Sequence, residues 1–214
     1  MSRAQILRSI GLMSLFWLFS SPALAGYCVL SVNDIPDYAI AGKPLTVVFT
    51  IYVYDGVASD SFQPTALAAI SGSAVKADIA PGPQRGQYTA TLTLPRPGEW
   101  TITINPESGL NSVSSMRLTL EALSPGSPLP AALAELSRGQ RLFSIKGCVY
   151  CHHETQPDGS SDTRLDLFGK RLPEDYVRTV LGNPGVKLSY MPKFQLKPDE
   201  TDALVAFIDR KSVV

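Results

Sequence analysis

Apolar and polar residues alternate along four stretches in the first half of the chain, at 45–54, 86–94, 99–105 and 114–122. Alternation with a period of two predicts β-strands that bury one face and expose the other. Tyr52 falls on the face of its stretch that is predicted to be exposed. Weaker alternation predicts further strands near 27–32, 64–71 and 74–79. Short strands separated by Pro- and Gly-rich turns are typical of a β-sandwich.

The pattern changes after a proline-rich stretch at 123–130, which has the composition of a stiff, extended linker. Beyond it, apolar residues recur at spacings of three and four, and this period predicts helices. The predicted helices cover 130–145, 173–184 and 198–211. The linker also predicts that few contacts cross between the two halves of the protein.

Composition and charge exclude some classes of partner. Apolar residues make up 44% of the 214 residues, which suits a globular protein with a buried core. The chain has 19 basic and 19 acidic residues and no basic run. It therefore offers no general electrostatic attraction to nucleic acid or to an anionic membrane surface.

The N-terminus has the pattern of an export signal. Two arginines precede the apolar run Ile10–Phe19, and Ala23 and Ala25 form a small-x-small cleavage pattern. We therefore expect a signal peptide over 1–25 and an exported mature chain without a membrane span, in the bacterial periplasm. An uncleaved N-terminal membrane anchor stays open as an alternative. A lipoprotein attached through Cys28 is disfavoured, because the preceding residue is a tyrosine.

One short stretch, "GCVYCHH" at 147–153, holds two of the three cysteines and both histidines. The spacing Cys148-x-x-Cys151-His152 is typical of covalent haem attachment. Two thiols bond to the two vinyl groups of the porphyrin, and the adjacent imidazole becomes an axial ligand of the iron. The alternatives are a zinc site, a redox-active dithiol and a structural disulfide.

Several sequences around this motif resemble class I c-type cytochromes, over about residues 131–212. They are "GQRLFSIKGCVYCHH", "LPEDYVRTVLGNP", "YMPKFQL" and "DETDALVAFI". The resemblance implies an all-α cytochrome c domain with one covalent haem c. It implies that the first and last helices cross near Gly139, Phe143 and Phe207. It also implies that Met191, which precedes a proline, is the sixth ligand of the haem iron.

The residues themselves are consistent with that role for Met191, the one methionine in the part of the sequence that is predicted to be helical. The alternative is a methionine that fills a gap in the core. His153 adjoins the proximal His152 and cannot reach the opposite haem face, so it is predicted to lie on the surface. The predicted haem wall comprises Phe168, Leu172, Val177, Leu181 and Phe194.

The stretch "GQYTATLTLPRPGEWTITIN" resembles exported immunoglobulin-like domains of copper-handling proteins of the YtkA and CopC type. The copper sites of that family use histidine and methionine. This half of the chain has no histidine and, after the signal, only Met116, so no copper site carries over. A docking or spacer module is the favoured interpretation.

Together these patterns predict two domains, an all-β immunoglobulin-like sandwich followed by an all-α cytochrome c domain. The predicted divisions are a signal peptide at 1–25, the sandwich at 26–122, a linker at 123–130 and the cytochrome domain at 131–214. The predicted function is electron transfer between redox protein partners rather than catalysis. The alternatives are a haem enzyme or gas sensor with an open axial site, and a cytochrome subunit docked to a larger membrane redox complex.

Overall fold

The computed structural model describes residues 28–53, 56–107, 115–131, 135–152, 173–184 and 191–211, so the predicted signal peptide lies outside the described residues. The strands within these ranges are β1 (Cys28–Asp34), β2 (Tyr38–Ile40), β3 (Pro44–Val53), β4 (Thr65–Ile70), β5 (Ser73–Lys76), β6 (Asp78–Pro81), β7 (Gln87–Thr93), β8 (Gly98–Asn105) and β9 (Met116–Leu123). The α-helices are α1 (Glu135–Ile145), α2 (Glu174–Gly182) and α3 (Pro198–Lys211).

The strands form two sheets, in the orders β1-β3-β7-β6 and β2-β9-β8-β4-β5. Alternate side chains of β8 and β9, and of β7 from Tyr88 onward, are buried, as their periodicity predicted. In β3 the alternation holds at its start, whereas residues 49–52 are all buried. Phe49 of the first sheet and Trp100 of the second are fully buried and belong to the same core cluster. The first half of the protein is therefore the predicted β-sandwich.

Two details of the sandwich differ from the prediction. The stretch 74–79, predicted as one strand, is divided at Ala77: β5 pairs in one sheet and β6 in the other. Strand β2, which was not predicted, runs parallel to β9 over three residues. Alternation within a stretch carries no information about which neighbour each part pairs with, and a strand of three residues is too short to show a period.

The helical half is built around a close crossing of α1 and α3. Gly139 of α1 lies directly against α3, where an added Cβ atom would lie 2.1 Å from the carbonyl oxygen of Ala203 and 2.6 Å from Cβ of Phe207. The rings of Phe143 and Phe207 meet beside it, with centroids 5.4 Å apart. The predicted crossing is therefore confirmed, and only glycine allows the backbones to approach so closely. None of the helices in the described part of the chain is long and apolar enough to span a membrane.

The expectation that few contacts cross between the two halves is wrong. Strand β1 is the outer strand of its sheet, and its first five residues are all buried, so both of its faces are covered. An added Cβ on Gly147 would lie 2.2 Å from the carbonyl oxygen of Leu30. Lys146 Nζ donates a hydrogen bond to the carbonyl oxygen of Asn33 at 3.2 Å. The linker is not extended throughout, because it contains a turn in which the backbone N–H of Ser127 donates to the carbonyl oxygen of Ser124 at 3.1 Å. The helical half lies back against strand β1.

A buried ion pair lies beside the contact between the helical half and strand β1. Lys146 Nζ lies 2.9 Å from Glu200 Oε1, and the two side chains are only 2% and 10% exposed. Glu200 also accepts a hydrogen bond from the backbone N–H of Lys197 at 2.8 Å, as a capping residue of α3. One lysine therefore joins the end of α1, the start of α3 and strand β1.

We expect Lys146→Ala to lower the free energy of unfolding by about 3–5 kcal/mol, because it leaves the Glu200 carboxylate buried without its partner. Denaturant unfolding of the haem-loaded full chain measures this change. Arg141→Ala is the matched control, since the Arg141–Asp37 pair crosses between the halves, as the Lys146–Asn33 hydrogen bond does, but Asp37 is 63% exposed. That variant should cost about 1 kcal/mol or less. Equal losses in the two variants would contradict the assigned role of the buried pair.

Candidate haem site

The Cys-x-x-Cys-His motif is wound into a tight turn directly after α1. Gly147, in the left-handed region at φ 83°, begins a 3-10 turn over Cys148–Tyr150. The carbonyl oxygen of Cys148 accepts hydrogen bonds from the backbone N–H groups of Cys151 at 3.2 Å and His152 at 2.9 Å. These bonds hold both cysteines and the histidine within one compact coil.

The motif is sheltered by the helix crossing. Cys148 is buried, while Cys151 and His152 are half-buried. The ring centroids of Phe143 and His152 are 6.4 Å apart, so the imidazole lies beside the contact of α1 with α3. Neither cysteine of the motif is in a disulfide. Burial raises the pKa of the Cys148 thiol to about 12.

Met191 and Cys151 contact the same group of side chains, although they are 40 positions apart in the sequence. Both residues pack on a second apolar group of side chains, here called the interdomain cluster. The buried members of the cluster are Val29, Tyr52 and Phe194, and the half-buried members are Ala58, Tyr150, Cys151, Met191 and Leu196. One thiol of the motif and the thioether of Met191 thus lie against the same apolar side chains.

This set of donors fits a covalently held haem. Two sulfur atoms at the motif spacing suit the vinyl groups, and nitrogen and thioether ligands suit the two axial positions of the iron. The surroundings are apolar, as a porphyrin ring requires. Cys148 and Cys151 would hold the porphyrin, and His152 and Met191 would supply the axial ligands.

Three of the five residues predicted to form the haem wall lie within the described part of the chain. Val177, Leu181 and Phe194 are buried, as predicted for the haem wall. Phe168, Leu172 and His153 lie outside the described residues. Burial is equally expected of ordinary core residues, so the haem wall itself stays a prediction.

Sequence reasoning missed the contribution of the sandwich to this site. Tyr52 and Val29 belong to strands of the sandwich, yet they contact the same cluster as Cys151 and Met191. Tyr52 was predicted to be exposed, and its side chain is instead buried. A large aromatic residue on the polar face of a strand is the one signal that indicated a second layer of packing there.

Cys28 is also buried next to the motif. Burial raises its pKa to about 11, so the thiol stays protonated at neutral pH. The nearby Tyr150 has its pKa raised to about 12, chiefly by burial and further by Cys28. A buried, protonated thiol is a poor nucleophile. Cys28 is therefore a packing residue of strand β1 in the folded protein.

Comparison with protein families gives a match in the helical half. Residues 134–208 match the family described as cytochrome C oxidase, cbb3-type, subunit III. The matched region contains the whole Cys-x-x-Cys-His motif, Met191 and the crossing of α1 with α3. The helical half has the fold of a cytochrome c domain. The match supports a c-type cytochrome that takes part in electron transfer and carries haem c.

Comparison with curated protein sequences gives no match. Among solved structures, the Lin-41 filamin domain matches at 16% identity and a TM-score of 0.33, over 47% of this chain and 94% of that one. Domains 1–6 of the surface layer protein SbsC match at 15% identity and a TM-score of 0.36, over 46% and 13%. A conjugative transposon lipoprotein from Bacteroides eggerthii matches at 10% identity and a TM-score of 0.31, over 46% and 97%. Similarities this low support no inference about function.

Proposed function

We propose that this protein is an exported c-type cytochrome that carries single electrons between redox proteins. One haem c would be bound covalently through Cys148 and Cys151, with His152 and Met191 as its axial ligands. The observation that carries the proposal is the convergence of Cys151 and Met191 on the interdomain cluster. The two residues are 40 positions apart in the sequence, so their packing against the same cluster results from the fold.

Bound haem supplies an iron atom that alternates between the ferrous and ferric states, so it accepts and donates one electron at a time. The residues of the chain determine which reactions accompany this change. The packing of Phe143 beside His152 restricts movement of the imidazole ring. Apolar side chains around the thiols exclude water, and the thioether of Met191 favours the ferrous state.

The proposal is tested by a redox titration of the full chain carrying haem. We expect one reversible, one-electron transition in the visible spectrum, and a ferrous form whose spectrum does not change when carbon monoxide is added. Two protein ligands leave no axial position open to a gas. Immediate binding of carbon monoxide would overturn the proposal in favour of a haem enzyme or gas sensor with an open site.

The matched family favours a second role, a cytochrome subunit within a larger oxidase complex, because its description names an oxidase subunit. Purification from native membranes under mild conditions, followed by haem staining, distinguishes the two roles. Elution with a terminal oxidase supports the subunit, whereas recovery as a separate small protein supports the mobile carrier.

The export part of the proposal rests on the apolar run Ile10–Phe19 and the small residues after it. Covalent haem attachment suits this location, since we expect the mature chain to begin near Gly26 in an oxidising compartment. N-terminal sequencing of the native protein tests this step. A sequence that starts near Gly26 supports cleavage, and an intact leader supports an N-terminal membrane anchor.

A further inference from the structure

Met191 lies in a segment that has no helix or strand of its own. Residues 191–197, here called the methionine segment, lead into α3 without forming regular secondary structure. Such segments have few backbone hydrogen bonds of their own, so their position depends on what they pack against. In this protein the methionine segment packs against the sandwich.

Four consecutive residues of the methionine segment have contacts with the sandwich. The Tyr52 hydroxyl donates a hydrogen bond to the carbonyl oxygen of Lys193 at 3.3 Å. The Tyr52 ring meets the Phe194 ring edge-on, with centroids 5.9 Å apart and planes at 77°. The remaining two contacts are made by Pro192 and Gln195: an added Cβ on Gly56 would lie 3.2 Å from Cα of Pro192, and the Gln195 side-chain amide hydrogen-bonds to Gln84.

Tyr52 is held firmly enough to fix what it touches. It is only 5% exposed, and it pairs with Val29 of β1 on one side. On its other side it forms a β-bridge with Ala58. A tyrosine fixed in this way presents both a ring edge and a hydroxyl at a set position. The methionine segment therefore contacts a rigid surface.

The same pair of strands also contacts the other half of the site. An added Cβ on Gly147 would lie 2.9 Å from Cγ1 of Val29 and 2.2 Å from the carbonyl oxygen of Leu30. Gly147 directly precedes Cys148, the first residue of the haem motif. Strands β1 and β3 thus touch the segment that carries Met191 and the turn that carries His152.

We propose that the sandwich sets the position of Met191 relative to the Cys148–His152 turn, and that Tyr52 is the positioning residue that holds the methionine segment in place. This inference rests on the proposed haem ligation and gives the sandwich a role in it. The sandwich is then a structural part of the haem site rather than a spacer. Tyr52 does not touch the ligand atoms in this proposal but acts through Lys193 and Phe194.

The consequence concerns how often the methionine segment moves away. An external ligand can replace the Met191 thioether only when the segment opens, so the rate of replacement reports the opening equilibrium. A hydrogen bond and an aromatic contact that exist only in the closed form shift this equilibrium towards closure. Loss of either contact should accelerate replacement without changing the ligand itself.

The test measures binding of imidazole to the ferric full chain carrying haem, followed through loss of the far-red thioether band. We expect Tyr52→Phe, which removes only the hydroxyl, to bind imidazole roughly 2- to 12-fold faster, as expected for the net loss of one hydrogen bond. Tyr52→Ala removes the ring as well, and should accelerate binding by roughly 100-fold or more. Both variants keep Met191, so the band itself should remain before imidazole is added.

Tyr88→Phe is the matched control. Tyr88 is 7% exposed, and its hydroxyl also donates to a backbone carbonyl, that of Phe62, at 3.0 Å. Its ring stacks on Phe49 inside the sandwich, away from the methionine segment. This variant loses an equivalent hydrogen bond, and it should bind imidazole at the parent rate.

The outcomes separate the two proposals. If Tyr52→Phe and Tyr88→Phe have the same imidazole rate while the parent shows the thioether band, the positioning role of Tyr52 is overturned and methionine ligation stands. If the parent lacks the band, methionine ligation fails and the positioning proposal fails with it. An acceleration confined to the Tyr52 variants supports both.

Discussion

The double variant Cys148→Ala, Cys151→Ala will carry no covalently attached haem. The two thiols are the only groups in the motif that can form thioether bonds to the vinyl groups, so their removal leaves at most axial ligation, which denaturation reverses. The measurement is peroxidase staining after denaturing electrophoresis of protein produced with a c-type maturation system. This assay works whether or not the variant folds.

Cys28→Ala is the control, because it removes the third cysteine of the chain. Cys28 is buried beside Tyr150, but it lies outside the attachment motif. We expect this variant to stain as strongly as the parent. If the stain persists in the double variant, or disappears in Cys28→Ala, the assignment of haem attachment to Cys148 and Cys151 is wrong.

Met191→Ala will keep the covalent haem and lose the sixth ligand. We expect the far-red thioether band to disappear and added cyanide to bind readily, since an axial position becomes open to solvent. The reduction potential should fall by about 0.2 V, a fraction of the roughly 0.8 V range over which axial ligands set haem potentials. The fall is expected because the thioether stabilises the ferrous state more than the ferric state.

The control for this variant is Met116→Leu. Met116 is buried in the sandwich at the start of β9, and leucine conserves its volume. The band and the potential should stay at their parent values. A parent that has no thioether band and binds cyanide at once would contradict methionine ligation, and would favour a haem protein with an open site.

Much of the fold is predictable because each element buries one regular face. The strands that contain Phe49, Trp100 and Met116 follow a period of two, and the stripe of α3 that contains Leu204 and Phe207 follows the helical period. The attachment motif is predictable for a chemical reason, since the porphyrin requires two thiols and an imidazole at a fixed spacing. These signals are local, so a single sequence is enough to detect them.

The contact between the halves could not be predicted, because it depends on surfaces that are far apart in the sequence. Periodicity identifies the face of a strand that packs in the core of its own sandwich. It therefore predicted that the side chain of Tyr52 is exposed to solvent. Tyr52 is buried because the methionine segment covers it, 141 positions away from its partner Lys193. The proline-rich linker led to the wrong prediction that few contacts cross between the halves. The stiffness of a linker does not determine which surface the helical half packs against.

The covered edge of β1 has a consequence for how the protein is made. This strand is outermost in its sheet, and among the described residues the turn at Gly147 of the helical half lies against it. A sandwich that has emerged first during synthesis therefore presents an open backbone edge, on which another chain can add a strand. Since the haem motif directly follows α1 and its turn lies against this edge, we expect the supply of haem during maturation to determine the solubility and yield of the protein as well as its redox activity.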